Sequence, residues 1–520
     1  MTVLLKASNL HSFVIGFNTK MSVASTSPAS SPPQETAKNP RVCLNCRRKK
    51  KRCDKALPSC SRCVDSLQVC QYDEEGGLPG GLCSPGPSFH LPQSMIISEQ
   101  RWGTVSPGLF MALDTVEDIH SFTSRCLSEV LGSRDNIEHV VARYFATTNT
   151  WFTIVDRVEF EALLKNIWIA PSAETSVLLL GMSLIIRLPH NNNLNGMADS
   201  VYLSVKTMLS VVKTKVCLSI PLMQTELLIA MYETSHGMHQ QAYMSVGSCC
   251  QMSRALGWWD KNFWRGQRRA GIPINLPLCS ALWWATVYVD CLFQAGYQDH
   301  AYPLYTSAVP QDLTVPFPES FRHAGSNEAL GSWDVTMRDV SGAIWPETHS
   351  AYYLSSVLQR LTDPASLSNA DRDNLSHLIM NHTISMLGSD RAAVVGTNFI
   401  ALMQLSQRGV LLNTGLVDTR SVETIRSVIE SIYTSALNME QCGPNYCASH
   451  VAPCAPVAAY YAANVLVSHG ENWLQDKDWL PKVECLKRYM MFLGQRWKIA
   501  ELHASLIDIA LRSRLSGYTG

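Results

Sequence analysis

Residues 43–70 read CLNCRRKKKRCDKALPSCSRCVDSLQVC, and the rest of the chain is organised around this stretch. Its six cysteines, Cys43, Cys46, Cys53, Cys60, Cys63 and Cys70, follow the spacing C-x2-C-x6-C-x6-C-x2-C-x6-C, so the second half repeats the first 17 residues later. Thiolates are preferred zinc ligands, and C-x2-C lets two sulfurs converge on one ion. Two four-coordinate zincs are satisfied by six thiolates only if two of the sulfurs bridge. The internal repeat requires the bridging pair to be equivalent positions, such as Cys43 and Cys60. Arg47, Arg48, Lys49, Lys50, Lys51 and Arg52 stand in a row inside the first x6 gap, so metal site and polycation are one object.

The stretch resembles the fungal zinc binuclear cluster transcription factors. Arg47 follows the second cysteine, Lys49 and Lys50 occupy the usual basic pair, Cys53-Asp54 closes the half, and Pro58 sits where the family places a loop proline. The resemblance implies two Zn2+ per chain. One would be held by Cys43, Cys46, Cys53 and Cys60, the other by Cys43, Cys60, Cys63 and Cys70. It also implies a short helix after the second cysteine that enters the major groove of double-stranded DNA, where Lys49 and Lys50 contact a CGG triplet.

Charge is distributed to match. The chain of 520 residues has equal numbers of basic and acidic side chains, 43 of each, yet residues 1–72 carry 12 Lys/Arg against 3 Asp/Glu. That leaves +9 at the N-terminal end and −9 over residues 73–520, so nucleic acid should meet only the first part. Seventeen cysteines, eleven of them outside the cluster, suit a reducing compartment, where they serve as small buried hydrophobes. RRKKKR at 47–52 also reads as a nuclear localisation signal, which places the protein in the nucleus.

Residues 1–40 are rich in Ser, Thr, Pro and Ala without apolar periodicity and are expected to be disordered, followed by the cluster at 41–72. Lys6 and Lys20 without an acid make residues 1–20 a poor targeting peptide, and Met21 is an alternative start. Residues 73–135 read as a flexible linker, with 7 Gly and 5 Pro between 73 and 110, including GGLPGG at 76–81. No heptad of apolar a and d positions follows the cluster, so the chain is expected to bind as a monomer or to dimerise through its helical domain. VLLLGMSLII at 177–186 stops at Arg187, short of a bilayer span, and no membrane partner is expected.

Residues 136–515 read as a large all-α regulatory domain, which makes the fold class mainly α. Apolar residues recur at helical spacing in Val201–Val216, Pro221–Tyr232, His239–Leu256, Leu278–Phe293 and Ser421–Leu437, with Gly257 as a helix stop. The pieces at 144–160, 242–257 and 281–293 resemble the family's middle homology region, about 140–300, which implies regulation of the DNA-binding module and a small-molecule effector. Where the family often has Gly-Arg-Pro after the third piece, this chain has Gly296-Tyr297-Gln298. The 242–257 segment is most similar in style to regulators of secondary-metabolite gene clusters; regulation of a catabolic or nutrient-response pathway is the alternative.

Enzymatic constellations are missing from the sequence: there is no phosphate loop, nucleophile elbow or H-E-x-x-H. His236 and His239 read as core or surface histidines. Cys442, Cys447, His450 and Cys454 group four soft ligands in 13 residues but fit no common zinc module, and Pro444 and Pro453 suggest an interhelical loop. Trp258-Trp259 and Trp283-Trp284 read as helix-packing aromatics, with an effector pocket as the other reading. The expectation is a sequence-specific transcription regulator that engages the transcription machinery or co-regulators, rather than a helical enzyme or scaffold tethered to nucleic acid.

Overall fold

Polar residues with a side-chain oxygen precede the apolar runs, and in the computed structural model these oxygens start helices. Asp156 accepts from the Glu159 amide (2.8 Å), Asp199 from Tyr202 (3.1 Å), Asn275 from Leu278 (3.1 Å) and Ser368 from Asp371 (3.1 Å), each pairing one of the amides a helix start leaves open. The structure describes residues 46, 51–55, 62, 118–170, 172–189, 196–264, 275–297, 302–308, 315–318, 347–362, 368–387, 391–412, 418–442 and 450–516. Cys43, Cys60, Cys63, Cys70, Arg47, Arg48, Lys49 and Lys50 lie outside the described residues, as do the segments 1–40 and 73–110. Two compact units divide the chain, one spanning 18–93 and one comprising the remainder.

Among the described residues every regular element is helical. The helices used below are α1 Ile119–Leu131, α2 Arg134–Ala146, α3 Arg157–Ile167, α4 Ala173–Ile185, α5 Ser200–Lys215, α6 Ile220–Ser235, α7 His239–Ala255 and α8 Leu276–Gly296. They continue as α9 Glu347–Thr362, α10 Asn369–Met386, α11 Ala392–Leu412, α12 Thr419–Cys442, α13 Cys454–His469, α14 Trp479–Leu493 and α15 Ile499–Ser516. All five helices expected from apolar spacing are present. Packing begins earlier than expected, however: α1 falls within the stretch 73–135 assigned to the linker and packs against α4. Its hydroxyl-rich sequence hides a helix, because the Thr123 and Ser128 side chains fold back onto the carbonyls of Ile119 (2.9 Å) and Ser124 (3.0 Å) while Phe122, Cys126, Leu127 and Val130 are buried.

Helices that are apolar on nearly all sides sit centrally, among them α4, α6 and α8. α4 is buried along almost its whole length, α6 from Leu222 to Ser235 and α8 from Leu278 to Gly296. α8 is long and apolar enough to cross a membrane, but it is 89% buried within the unit, packed against α6, α7 and α9. Trp258, Trp283 and Trp284 are buried, as expected of helix-packing aromatics. The end of α7 is closed at Gly257, with φ +86, where the Trp258 amide reaches Ser253 O (3.0 Å) and the Gly257 amide Arg254 O (2.9 Å).

Polar groups set the register of these apolar helices. α5 and α6 run antiparallel and meet at two rungs: Lys206 with Glu233, and Lys213 with Glu226 (2.8 Å), each lysine also reaching a serine of α7, Ser245 (3.0 Å) or Ser248 (2.8 Å). Arg496, in the turn before α15, is buried and donates to the carbonyls of Ile185 (2.7 Å) and Arg187 (3.0 Å), so a cation covers the negative end of α4.

Candidate metal centre and nucleic-acid interface

The site begins at Cys46, which is helical and only 3% exposed. The Lys51 amide donates to its carbonyl at 3.0 Å, a bond five residues back along the chain of the kind that ends a helix. Lys51 and Arg52 follow outside regular structure with their side chains exposed. Cys53 is half-buried, Asp54 exposed, and Lys55 adopts the left-handed region at φ +63, which costs a residue with a Cβ about 1–2 kcal/mol. In the second half of the repeat Arg62, beside Cys63, is helical and exposed.

These positions fit a thiolate metal centre. Among the described residues of this unit Cys46 is buried and Cys53 half-buried. A unit whose sequence has few large apolar groups needs another source of folding free energy, which zinc would supply by cross-linking thiolates. Of the six basic residues, Lys51 and Arg52 are described, and both lie outside regular structure. Arg62, one residue before Cys63 on the repeat of the first C-x2-C, was not among the sequence candidates.

Of the other sequence candidates, His236 and Cys454 are buried in the helical unit and His239 is exposed. Among the described residues no three His, Cys, Asp or Glu side chains are arranged to hold a metal. Cys454 starts α13 and donates to Ala393 O at 3.4 Å, while Cys442 ends α12 and is half-buried, as is His450; Cys447 lies outside the described residues. His236 is buried between Tyr232 and Trp497, with ring centroids at 4.5 and 5.5 Å, and burial holds its pKa well below the usual value. Burial likewise raises the thiols of Cys249 and Cys291 well above the ordinary range and pushes Cys454 to about 11, which makes them inert.

Residues 41–77 match the family model of the fungal Zn(2)-Cys(6) binuclear cluster domain, and the chain carries that domain. Transcription factor BOA15 of Botryotinia fuckeliana (strain B05.10) is 26% identical over 141 residues, covering 26% of this chain and 74% of that protein. Regulator of drug sensitivity 1 of Saccharomyces cerevisiae is 40% identical over 91 residues, 17% of this chain and 11% of that protein. Oleate activated transcription factor 3 of Kluyveromyces lactis is 53% identical over 34 residues, 6% of this chain and 5% of that protein. The chain thus spans about three quarters of the first relative and a small fraction of the other two.

Proposed function

We propose, from the binuclear cluster domain at residues 41–77, that this chain is a zinc-dependent regulator of RNA polymerase II transcription that reads CGG-type triplets and whose helical unit governs that activity. The observation that carries the reading is the family match across six cysteines that enclose an unbroken basic run. Two zincs, held by Cys43, Cys46, Cys53, Cys60, Cys63 and Cys70 with Cys43 and Cys60 shared, cross-link the two halves. Lys49 and Lys50, between the ends of the Lys51–Cys46 bond, offer ammonium donors to guanine edges in the major groove. Lys51, Arg52 and Arg62, exposed beside the thiols, neutralise phosphates and set the register. The protein acts in the nucleus, and the style of residues 242–257 supports control of a secondary-metabolite gene cluster.

The test is a comparison of binding to duplexes with CGG and with a scrambled triplet. Lys50→Ala should lose about 1–3 kcal/mol of discrimination, because a base-edge contact is removed. Lys51→Ala should weaken both duplexes alike. Equal losses on both duplexes for both variants would refute the assignment of reader and anchor, and a natural chain that does not distinguish the duplexes would refute triplet reading. Genome-wide occupancy then decides the pathway: sites grouped at a biosynthetic gene cluster support the proposal, and sites at nutrient-use genes support the alternative.

A further inference from the structure

Residues 315–318, Val-Pro-Phe-Pro, insert an aromatic ring between two helices of the helical unit. The Phe317 ring stacks on Trp284 of α8 (centroids 4.9 Å apart, planes 23° apart) and on His349 of α9 (4.3 Å, 20°). Tyr352 meets the Phe317 ring edge-on at 5.8 Å. The carbonyl of Pro316 accepts hydrogen bonds from Ser280 Oγ and from Trp284 Nε1 (3.3 Å). A flat ring and an adjacent carbonyl are therefore recognised together by α8 and α9.

His349 leads from this slot to polar atoms that the phenyl ring cannot satisfy. His349 and His382 lie 5.7 Å apart, and Asn398 Nδ2 is 3.1 Å from His382 Nδ1. Among the described residues, His349 Nδ1, His382 Nε2 and Asn398 Oδ1 are buried without a hydrogen-bond partner, on residues 8%, 3% and 0% exposed from α9, α10 and α11. Each such atom is left with an uncompensated desolvation cost, which a partner with hydrogen-bonding groups would remove. Burial drives both imidazoles down to about 4, so they are neutral at physiological pH and favour a neutral partner.

We propose that the slot between Trp284 and His349 binds a neutral planar aromatic molecule bearing a carbonyl and a hydroxyl or ring nitrogen, and that Phe317 is an intramolecular plug this ligand displaces. The ligand ring takes the place of Phe317, its carbonyl takes the donors that hold Pro316 O, and its second polar group pairs with the His349, His382 and Asn398 atoms. The proposal concerns capture by the helical unit and stands apart from which DNA triplet is read, so the assay measures ligand binding directly.

The experiment titrates the full chain with 7-hydroxycoumarin, and with naphthalene as an apolar control, at a pH of about 6.5 where a phenol stays neutral. A plug that holds the site closed lowers apparent affinity by the fraction of open molecules, so Phe317→Ala should bind the coumarin at least about tenfold more tightly than the natural chain. Adding His382→Phe should abolish the preference for the coumarin over naphthalene. Should Phe317→Ala lose its circular dichroism spectrum, Phe317→Leu, which keeps apolar volume but cannot stack as a flat ring, should show the same gain at several-fold. Equal affinity in natural and plug-variant chains, or a folded plug variant that binds naphthalene as well as the coumarin, would overturn the proposal.

Discussion

Lys55 and Asp290 show what single side chains contribute in the two units. Lys55 holds a backbone conformation that favours glycine, at φ +63, immediately after the Cys53-Asp54 pair. Lys55→Gly should therefore hold zinc at least as tightly as the natural chain, whereas Lys55→Val should bind more weakly by about 1 kcal/mol or more, as read by competition with a chelator. Asp290 is fully buried in α8, where it accepts from the Thr306 amide (2.8 Å) and hydroxyl (2.7 Å). Burial raises its pKa to about 6, and the Thr306 bonds only partly oppose this. The folded chain then keeps a proton that the unfolded chain has released, so the stabilisation is full below the unfolded value and is lost as pH rises through about 6. Asp290→Asn keeps a carbonyl acceptor for Thr306 and has no proton to lose. Relative to this variant the natural chain should lose about 2 kcal/mol between pH 4.5 and 6.5, measured by urea denaturation. A difference independent of pH would refute the account.

Helices show how much periodicity can and cannot reveal. α7 was readable to within one residue, because His239–Leu256 carries both its apolar face and its stop at Gly257. α12 runs five residues past the expected Leu437, and its apolar face carries on to the buried Met439. The Lys206–Glu233 and Lys213–Glu226 rungs were not legible, since their partners are 27 and 13 residues apart and meet only once α5 and α6 lie antiparallel. Glu233 has no exposure, and burial raises its pKa while Lys206 and the hydroxyls of Ser245 and Tyr202 lower it. A buried acid stripped of its cation is worse than no charge at all. Lys206→Met should thus destabilise the chain by about 3 kcal/mol, and the double variant Lys206→Met/Glu233→Leu by clearly less. Additive losses in that double-mutant cycle would show that the rung is not coupled.

Across the whole molecule the two units are expected to draw their stability from different sources. The helical unit buries a continuous apolar core from Phe122 to Leu511, whereas the described residues of the cluster unit bury one apolar side chain, Cys46. Chelation should therefore abolish DNA binding while leaving most of the helical circular dichroism signal, and elemental analysis of the untreated chain should find two zincs. One zinc per chain would contradict shared thiolates. Loss of the whole helical signal on chelation would mean that the helical unit depends on the metal as well.

The sequence by itself determined the cluster, the charge split and the helical class. Ligand spacing, a basic run and apolar periodicity are relations among residues within a few tens of positions, and they survive without any knowledge of the fold. Only the tertiary structure decided where the helical body begins, because the hydroxyl-rich α1 is held by packing on α4 rather than by a strong pattern of its own. It alone decided the place of Trp284, which sequence reasoning left between packing and pocket. Trp284 is packed, because the chain returns after 33 residues to set Phe317 against it, and α9, α10 and α11 bring His349, His382 and Asn398 together beside that ring. Contacts of that range depend on how the helices pack, and no local pattern of residues encodes them.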